Sequence, residues 1–97
     1  MKYSDLSDEI INKVEYLKKH NPNDTIDIIV TIKDGTDPYI FFNLNEFKLK
    51  NIIKSINVLT GSITARNFDT LWKHPHIEDI ELDKEVKVEP LNKTYSF

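Results

Sequence analysis

Cysteine is absent from the 97-residue chain, which excludes disulfides, thiolate zinc sites and thiol catalysis. Glycine occurs only at Gly35 and Gly61, too sparsely for a glycine-rich phosphate-binding loop. Arg66 is the one arginine, and 16 acidic residues outnumber 13 basic ones, so the basic footprint of a nucleic-acid-binding protein is missing. No apolar run is long enough to span a bilayer. We therefore expect neither nucleic acid nor membrane as a partner.

The composition is that of an ordinary folded domain. Hydrophobic residues make up 39% and charged residues 30% of the chain, a balance that argues against disorder. Residues 1–5 become acidic at once and no apolar signal-peptide core follows them. We therefore expect a protein that is cytoplasmic at synthesis.

Hydrophobic periodicity predicts an α+β chain. The clearest strand covers residues 25–33, where β-branched residues alternate with polar ones. Gly61, inside another predicted strand, indicates a bulge or a close backbone approach. Thr64 is a candidate N-cap of the helix that follows it. The predicted helices cover residues 5–20, 43–55 and 65–74, the predicted strands cover 25–33, 57–64 and 77–88, and residues 39–42 fit either a short strand or the approach to a helix.

This order predicts a ferredoxin-like split βαβ fold, in which an antiparallel sheet carries two helices on one face. The first helix is additional to that pattern. We therefore divide the chain into an N-terminal helical extension (1–23), an α+β domain (24–89) and an extended C-terminal tail (90–97). The other face of the sheet is left bare.

Local chemistry gives little support to catalysis or metal binding. His74 and His76 offer two imidazoles, whereas zinc takes three or four protein ligands. The carboxylates of residues 79–85 alternate along a predicted strand, as on a solvated face. An acylphosphatase of this fold would need an arginine in a loop after the first strand, and none is there. We expect no enzyme activity, no metal and no cofactor in this chain.

Binding of a partner protein fits the residues better. Carboxylates on a bare sheet face can cap the helix N-termini of a partner, which carry unpaired N–H groups and partial positive charge. The last four residues, Thr94, Tyr95, Ser96 and Phe97, can lie as an added strand in a cleft, with an aromatic side chain in a pocket. An ordinary solvated strand and a frayed terminus are the alternatives.

Residues 59–88 resemble the propeptide, or peptidase-inhibitor, family of subtilisin-like serine proteases. The shared pattern is a glycine-containing strand, a small helix that ends before a proline, and a strand with an aliphatic-x-x-aliphatic-Glu-x-Asp motif. The matching residues are Gly61, Ile63, Phe68, Leu71, His74, Pro75, Ile77, Ile80, Glu81 and Asp83.

The resemblance implies a ferredoxin-like domain whose bare face packs on two surface helices of a protease from the same precursor. Glu81 and Asp83 would cap those helices, and Thr94, Tyr95, Ser96 and Phe97 would occupy the substrate cleft, with Phe97 at the catalytic serine. The domain would act as an intramolecular chaperone and, after autocleavage, as a product-like inhibitor. The unsignalled N-terminus is similar to that of Csp-type spore germination proteases, which implies spore association.

Two other interpretations stay open. The chain can be a free-standing inhibitor of the same fold, encoded alone. It can also be a ferredoxin-like regulatory module that binds a small ligand and pairs with itself.

Overall fold

The structure is a computed structural model of the chain and describes residues 1–44 and 46–84. Those residues form two α-helices, four strands and four 3₁₀ helices. The α-helices are α1 (Asp8–His20) and α2 (Phe68–Trp72), and the strands are β1 (Thr25–Ile32), β2 (Phe47–Ile53), β3 (Val58–Thr64) and β4 (Ile77–Leu82). The 3₁₀ helices cover Tyr3–Asp5, Pro38–Asn43, Lys54–Ile56 and Ala65–Asn67.

The four strands form one antiparallel sheet in the order β2-β3-β1-β4. β1 and β2 are separated by β3, and β3 and β4 are separated by β1, so both long connections cross over a neighbouring strand. This is the split arrangement of a ferredoxin-like fold. The predicted α+β class and sheet topology are confirmed.

One face of the sheet carries the hydrophobic core, as the alternation in β1 predicts. Thr25, Asp27 and Lys33 are exposed, whereas the four β1 residues at even positions are buried. The buried hydrophobic residues form one cluster that includes side chains from both α-helices and from Phe41. Its members in β1 are Ile26, Ile28, Val30 and Ile32, and its members in the helices are Ile10, Val14, Leu17, Phe41, Ala65, Phe68 and Leu71.

The helical layer over this core has three main pieces. α1 begins at its N-cap Ser7, whose hydroxyl accepts the N–H of Ile10 at 3.4 Å, and its basic last turn suits the negative end of the helix dipole. α1 and α2 contact β4, while the 3₁₀ helix Pro38–Asn43 lies beside β2. The segment 39–42, for which a strand or the approach to a helix was expected, is thus part of a 3₁₀ helix.

The predicted helix over 43–55 is wrong, because most of this segment is the edge strand β2. Leu49 pairs with Gly61 and Asn51 with Thr60, so Lys50 is an extra residue in a β-bulge. Because of the bulge, the core-facing residues Leu49 and Ile52 are three positions apart instead of two. A spacing of three is also typical of residues on one face of a helix.

The predicted helix over 65–74 is shorter than expected, and Thr64 occupies the predicted N-cap position without the expected side-chain cap. A 3₁₀ turn precedes the five-residue α2, and the Thr64 side chain makes no cap hydrogen bond. Its hydroxyl instead donates to Glu46 Oε1 at 2.7 Å, and Arg66 donates to the other oxygen of that carboxylate. These contacts, the bond from Thr64 first, lower the pKa of Glu46. The same contacts hold Glu46 in place, whose φ of 58° lies in the left-handed region.

The last strand begins at Ile77 as predicted and is described to Leu82, after which the described residues end at Lys84. The expected continuation to residue 88 and the tail 90–97 lie outside the described residues. Among the residues that are described, no helix is both long and apolar enough to cross a membrane.

Candidate docking face

The sheet face opposite the core is open. Directly opposed residues in an antiparallel sheet share a face, so the strand registers define three rows across it. None of the residues in these rows is buried, so no part of the described chain covers them. We call this surface the open face. Its rows are Ile53–Val58–Thr31–Asp79, Asn51–Thr60–Ile29–Glu81 and Lys48–Ser62–Asp27.

The central strands β1 and β3 carry no charge in two of the three rows of the open face. Ile29, Thr31 and Val58 lie side by side on the two central strands and are half-buried. The Thr60 hydroxyl oxygen is buried and has no hydrogen-bond partner among the described residues. Thr60 therefore does not expose its hydroxyl on the open face. A strip of largely carbon surface therefore runs between two charged flanks.

The two flanks carry opposite charge. Asp79 and Glu81 lie on the β4 side, with Asp27 next to them on β1, whereas Lys48 lies on the β2 side. The paired positions of the open face thus hold three carboxylates and one ammonium group. The Ile80 N–H donates to Asp79 Oδ1 at 2.9 Å, while the exposed Glu81 has no side-chain partner in the described part of the chain.

The two carboxylates singled out from the sequence occupy different surroundings. Glu81 lies on the open face opposite Ile29, where the alternation in β4 predicts it. Asp83 follows β4 and extends the ladder, because its N–H donates to the Asp27 carbonyl at 3.0 Å. Asp83 is half-buried and also lines a groove of about 590 Å³ beside α1. Thr94, Tyr95, Ser96 and Phe97 lie outside the described residues.

Asp27 and Lys48 also belong to this surface, although the sequence alone did not single them out as docking residues. Asp27 could have been found, because the alternation in β1 already places it opposite the core residues. Lys48 could not, since its segment was interpreted as a helix. The bulge in β2 is what separates Lys48 from the next outward residue, Asn51.

The histidine pair lies away from the open face, at the connection from α2 to β4. His74 Nδ1 accepts the N–H of His76 at 3.2 Å, and the His74 ring packs 4.9 Å from that of the buried Phe41. Burial, reinforced by the charge of His76, lowers the pKa of His74. Over the described residues, no group of three or more potential ligands gathers at one point.

We expect this histidine to make folding stability depend on pH. The unfolded chain binds a proton at His74 near pH 6.5, whereas the folded chain resists it, so stability falls as the pH drops below that value. Urea denaturation at pH 7.5 and 5.5 measures the loss, which His74→Gln should reduce. Asn12→Gln, at an exposed position of α1 without a titratable group, is the control and should leave the pH dependence unchanged. An equal loss in wild type and His74→Gln contradicts the assignment.

The chain matches no protein-family model, and comparisons with curated proteins and with solved structures also found no match. The resemblance of residues 59–88 to subtilisin propeptides accordingly stays a prediction from the residues themselves.

Proposed function

We propose that the chain is the prodomain of a subtilisin-like serine protease and docks on the protease through its open face. In this role it assists the folding of the protease domain and then inhibits it. The observation that carries the proposal is an uncovered face on a ferredoxin-like sheet, with the exposed Glu81 of the Glu-x-Asp motif on that face in β4 and Asp83 directly after the strand. We further propose a spore germination protease of the Csp type as the parent enzyme.

The charge of the open face favours helix N-termini as its partners. Three carboxylates face outward from β1 and β4 against Lys48 on β2, so the surface attracts positive potential. Helix N-termini provide that potential together with unpaired N–H groups that a carboxylate can accept. Stacking two copies of this face would bring excess negative charge together, which disfavours self-pairing.

The size of the face indicates that it does not act alone. Four strands spaced about 4.8 Å apart and about six residues long give a projected area of roughly 400 Å². A standard protein interface takes about 800 Å² from each partner. The tail, with Thr94, Tyr95, Ser96 and Phe97 in the substrate cleft, is our proposed source of further contacts and of inhibition.

Removing the acidic groups should weaken inhibition of a subtilisin-like catalytic domain. Each charge-assisted hydrogen bond contributes about 1.5–3 kcal/mol, so Glu81→Ala should raise the inhibition constant about 10-fold or more. Asp83→Ala tests the second carboxylate of the motif. Residual protease activity against chain concentration, over a panel of purified catalytic domains, is the measurement.

Glu78→Ala is the matched control, because Glu78 is an exposed carboxylate on β4 outside the paired positions of the open face. Inhibition by Glu78→Ala equal to wild type, with weaker inhibition by Glu81→Ala, supports the proposal. Wild-type inhibition that Glu81→Ala leaves unchanged contradicts capping by this residue. Absence of inhibition across the panel contradicts the proposed function.

The free-standing inhibitor uses the same face, so the gene distinguishes it from a prodomain. A reading frame that continues past Phe97 into a protease domain favours the prodomain, and a stop codon favours the inhibitor. A ligand-binding regulatory module predicts instead a self-paired dimer, which light scattering detects.

A further inference from the structure

The outer edge of β4 carries no neighbouring strand in the described part of the chain, because β4 ends the sheet order and β1 lies on its other side. The Asp83 N–H donates to the Asp27 carbonyl, so these two residues form a hydrogen-bonded pair of the ladder. Bonded and non-bonded pairs alternate along antiparallel strands. Ile80 and Leu82 therefore occupy non-bonded positions, and their backbone N–H and C=O groups point away from β1.

Most of these outward backbone groups are free. The Ile80 N–H donates to the Asp79 carboxylate at 2.9 Å, which agrees with its outward direction. The Ile80 C=O and both backbone groups of Leu82 have no such partner among the described residues. An edge strand with free backbone groups is a template for one more strand.

A groove of about 300 Å³ follows this edge. Residues 79–82 of β4 line it on the sheet side, and Asp5, Ser7 and Glu9 line it at the N-terminal end of α1. We call it the β4 edge groove. The free backbone groups thus lie in a concave surface that an extended chain segment can enter.

The β4 edge groove is acidic. The carboxylates of Asp5, Glu9, Asp79 and Glu81 line it against one ammonium group, that of Lys84, which already pairs with Glu9 at 3.0 Å. Charged residues nearby in the described chain do not offset this excess, since they comprise two ammonium groups and three carboxylates: Lys2, Lys13, Asp8, Glu78 and Asp83. The groove therefore attracts a segment with basic side chains.

A second copy of the chain is a poor occupant. Pairing of two β4 edges would bring Asp79 and Glu81 of both copies together, and like charges opposite each other destabilise a strand pair. The β2 edge carries Lys48 and Lys50, but it is bulged and contacts the 3₁₀ helix Pro38–Asn43. A contact from β2 to β4 would also be head-to-tail and open-ended.

The two sides of β4 specify the side chains of the added segment. Directly opposed residues in an antiparallel sheet share a face, and successive residues alternate between faces. Residues opposite Ile80 and Leu82 therefore lie on the core side, where an apolar side chain fits. The residues between them lie on the side of Asp79 and Glu81, where lysine or arginine fits.

We propose that the β4 edge groove binds an extended segment of a partner protein by strand addition. In that segment lysine or arginine alternates with an apolar residue, and the apolar residues exchange backbone hydrogen bonds with Leu82. This site goes beyond the proposed function. Glu81 borders both surfaces, but the segment pairs with the strand edge and need not belong to a protease.

Amide hydrogen exchange of the full chain, followed by NMR, tests the site. In the free chain the Leu82 N–H should exchange much faster than the Glu81 N–H, which lies in a bonded pair with Ile29. A short peptide in which lysine and valine alternate should slow the Leu82 exchange about 10-fold when the free peptide is at about ten times its dissociation constant. Peptides with glutamate in place of lysine, or with proline in place of valine, should not, because the first lacks the positive charge and the second the N–H groups.

Glu81→Lys places the charge term in the groove. Replacing attraction by repulsion at one exposed ion pair should raise the dissociation constant of the lysine–valine peptide about 5-fold or more. Glu78→Lys is the matched control, because Glu78 is an exposed carboxylate on the same strand that does not line the groove. It should change the constant less than about 2-fold. The amide spectrum of each variant establishes that it is folded.

The outcomes separate this proposal from the proposed function. Unchanged Leu82 exchange at saturating peptide overturns it, and so does equal binding of the glutamate peptide. Slow Leu82 exchange in the dilute free chain would show that another part of the same chain covers the edge, and slow exchange that develops with chain concentration would show a second copy. Either result overturns strand addition by a partner. Absence of protease inhibition contradicts the proposed function alone.

Discussion

Gly61→Ala is expected to destabilise the protein by about 3 kcal/mol or more, since it places an atom where β2 already lies. A Cβ built at Gly61 would be 2.8 Å from Phe47 Cζ and would overlap the Lys48 carbonyl oxygen. The ring can adjust, but the carbonyl belongs to the backbone of the neighbouring strand. Small domains are stable by about 5–15 kcal/mol, so this one methyl group removes a large part of the total.

Urea denaturation of three variants measures the effect. Ser62→Ala, one residue further along β3 and on the open face, should change stability by less than about 0.5 kcal/mol. Gly35→Ala should cost an intermediate amount, because Gly35 has φ of 82° but nothing within 4 Å of an added Cβ. If Gly61→Ala were as stable as Ser62→Ala, β2 would not pack over Gly61 as described.

The strand β1 and the strand β2 show what periodicity can and cannot predict. In β1 every second residue is buried, so the period of two was sufficient to assign the strand, its core face and the outward direction of Asp27. In β2 the bulge at Lys50 adds one residue, and the core-facing positions Leu49 and Ile52 become three apart. A local pattern cannot distinguish that spacing from a helix, because the bulge is defined by the partner strand.

Gly61 is the sequence signal that relates to the irregularity in β2. The sequence predicts a bulge or a close approach there. The close approach occurs at Gly61 itself, against Phe47 and Lys48, whereas the bulge lies in the neighbouring strand β2. Linking Gly61 to Lys50 requires knowing that Leu49 lies opposite Gly61.

Some features of the candidate docking surface were predictable from the sequence and others were not. The position of Glu81 on the open face follows from alternation in β4, which requires only neighbouring residues. By contrast, a groove of about 240 Å³ joins Pro38 to Ile53 and Val58, residues that are distant in sequence and meet only after the sheet has formed. Likewise, the bond between Thr64 and Glu46 spans 18 residues, and it replaces the local cap that the sequence favoured.

A chain that lacks residues 1–23 is expected not to fold cooperatively, although the pattern of the remaining residues contains the whole sheet. In α1, Ile10 and Val14 are fully buried and Leu17 is 8% exposed. Each buried aliphatic side chain contributes about 1.5–3 kcal/mol, so the three together contribute about 5–9 kcal/mol as an upper estimate. That sum is comparable to the entire stability of a small domain.

The dependence on α1 follows from the two connections that cross over a neighbouring strand. In the described residues, the connection from β1 to β2 contains the six-residue 3₁₀ helix Pro38–Asn43, and the connection from β3 to β4 contains a 3₁₀ turn and the five-residue α2. Neither is long enough to cover four strands. α1 fills the uncovered part of the layer beside β4 and is held there by the Lys18–Asp69 ion pair at 3.1 Å, besides its apolar contacts.

Point substitutions test the same idea in the full chain. Ile10→Ala should cost about 2–5 kcal/mol, whereas Lys13→Ala, at an exposed position of the same helix, should cost less than about 0.5 kcal/mol. Circular dichroism and amide NMR spectra of the fragment 24–97 give the direct answer. A fragment with dispersed amide signals and a cooperative thermal transition would establish residues 1–23 as a dispensable extension. An unfolded fragment, together with a destabilised Ile10→Ala chain, would show that the prodomain-like sheet depends on a helix that the split βαβ pattern does not contain.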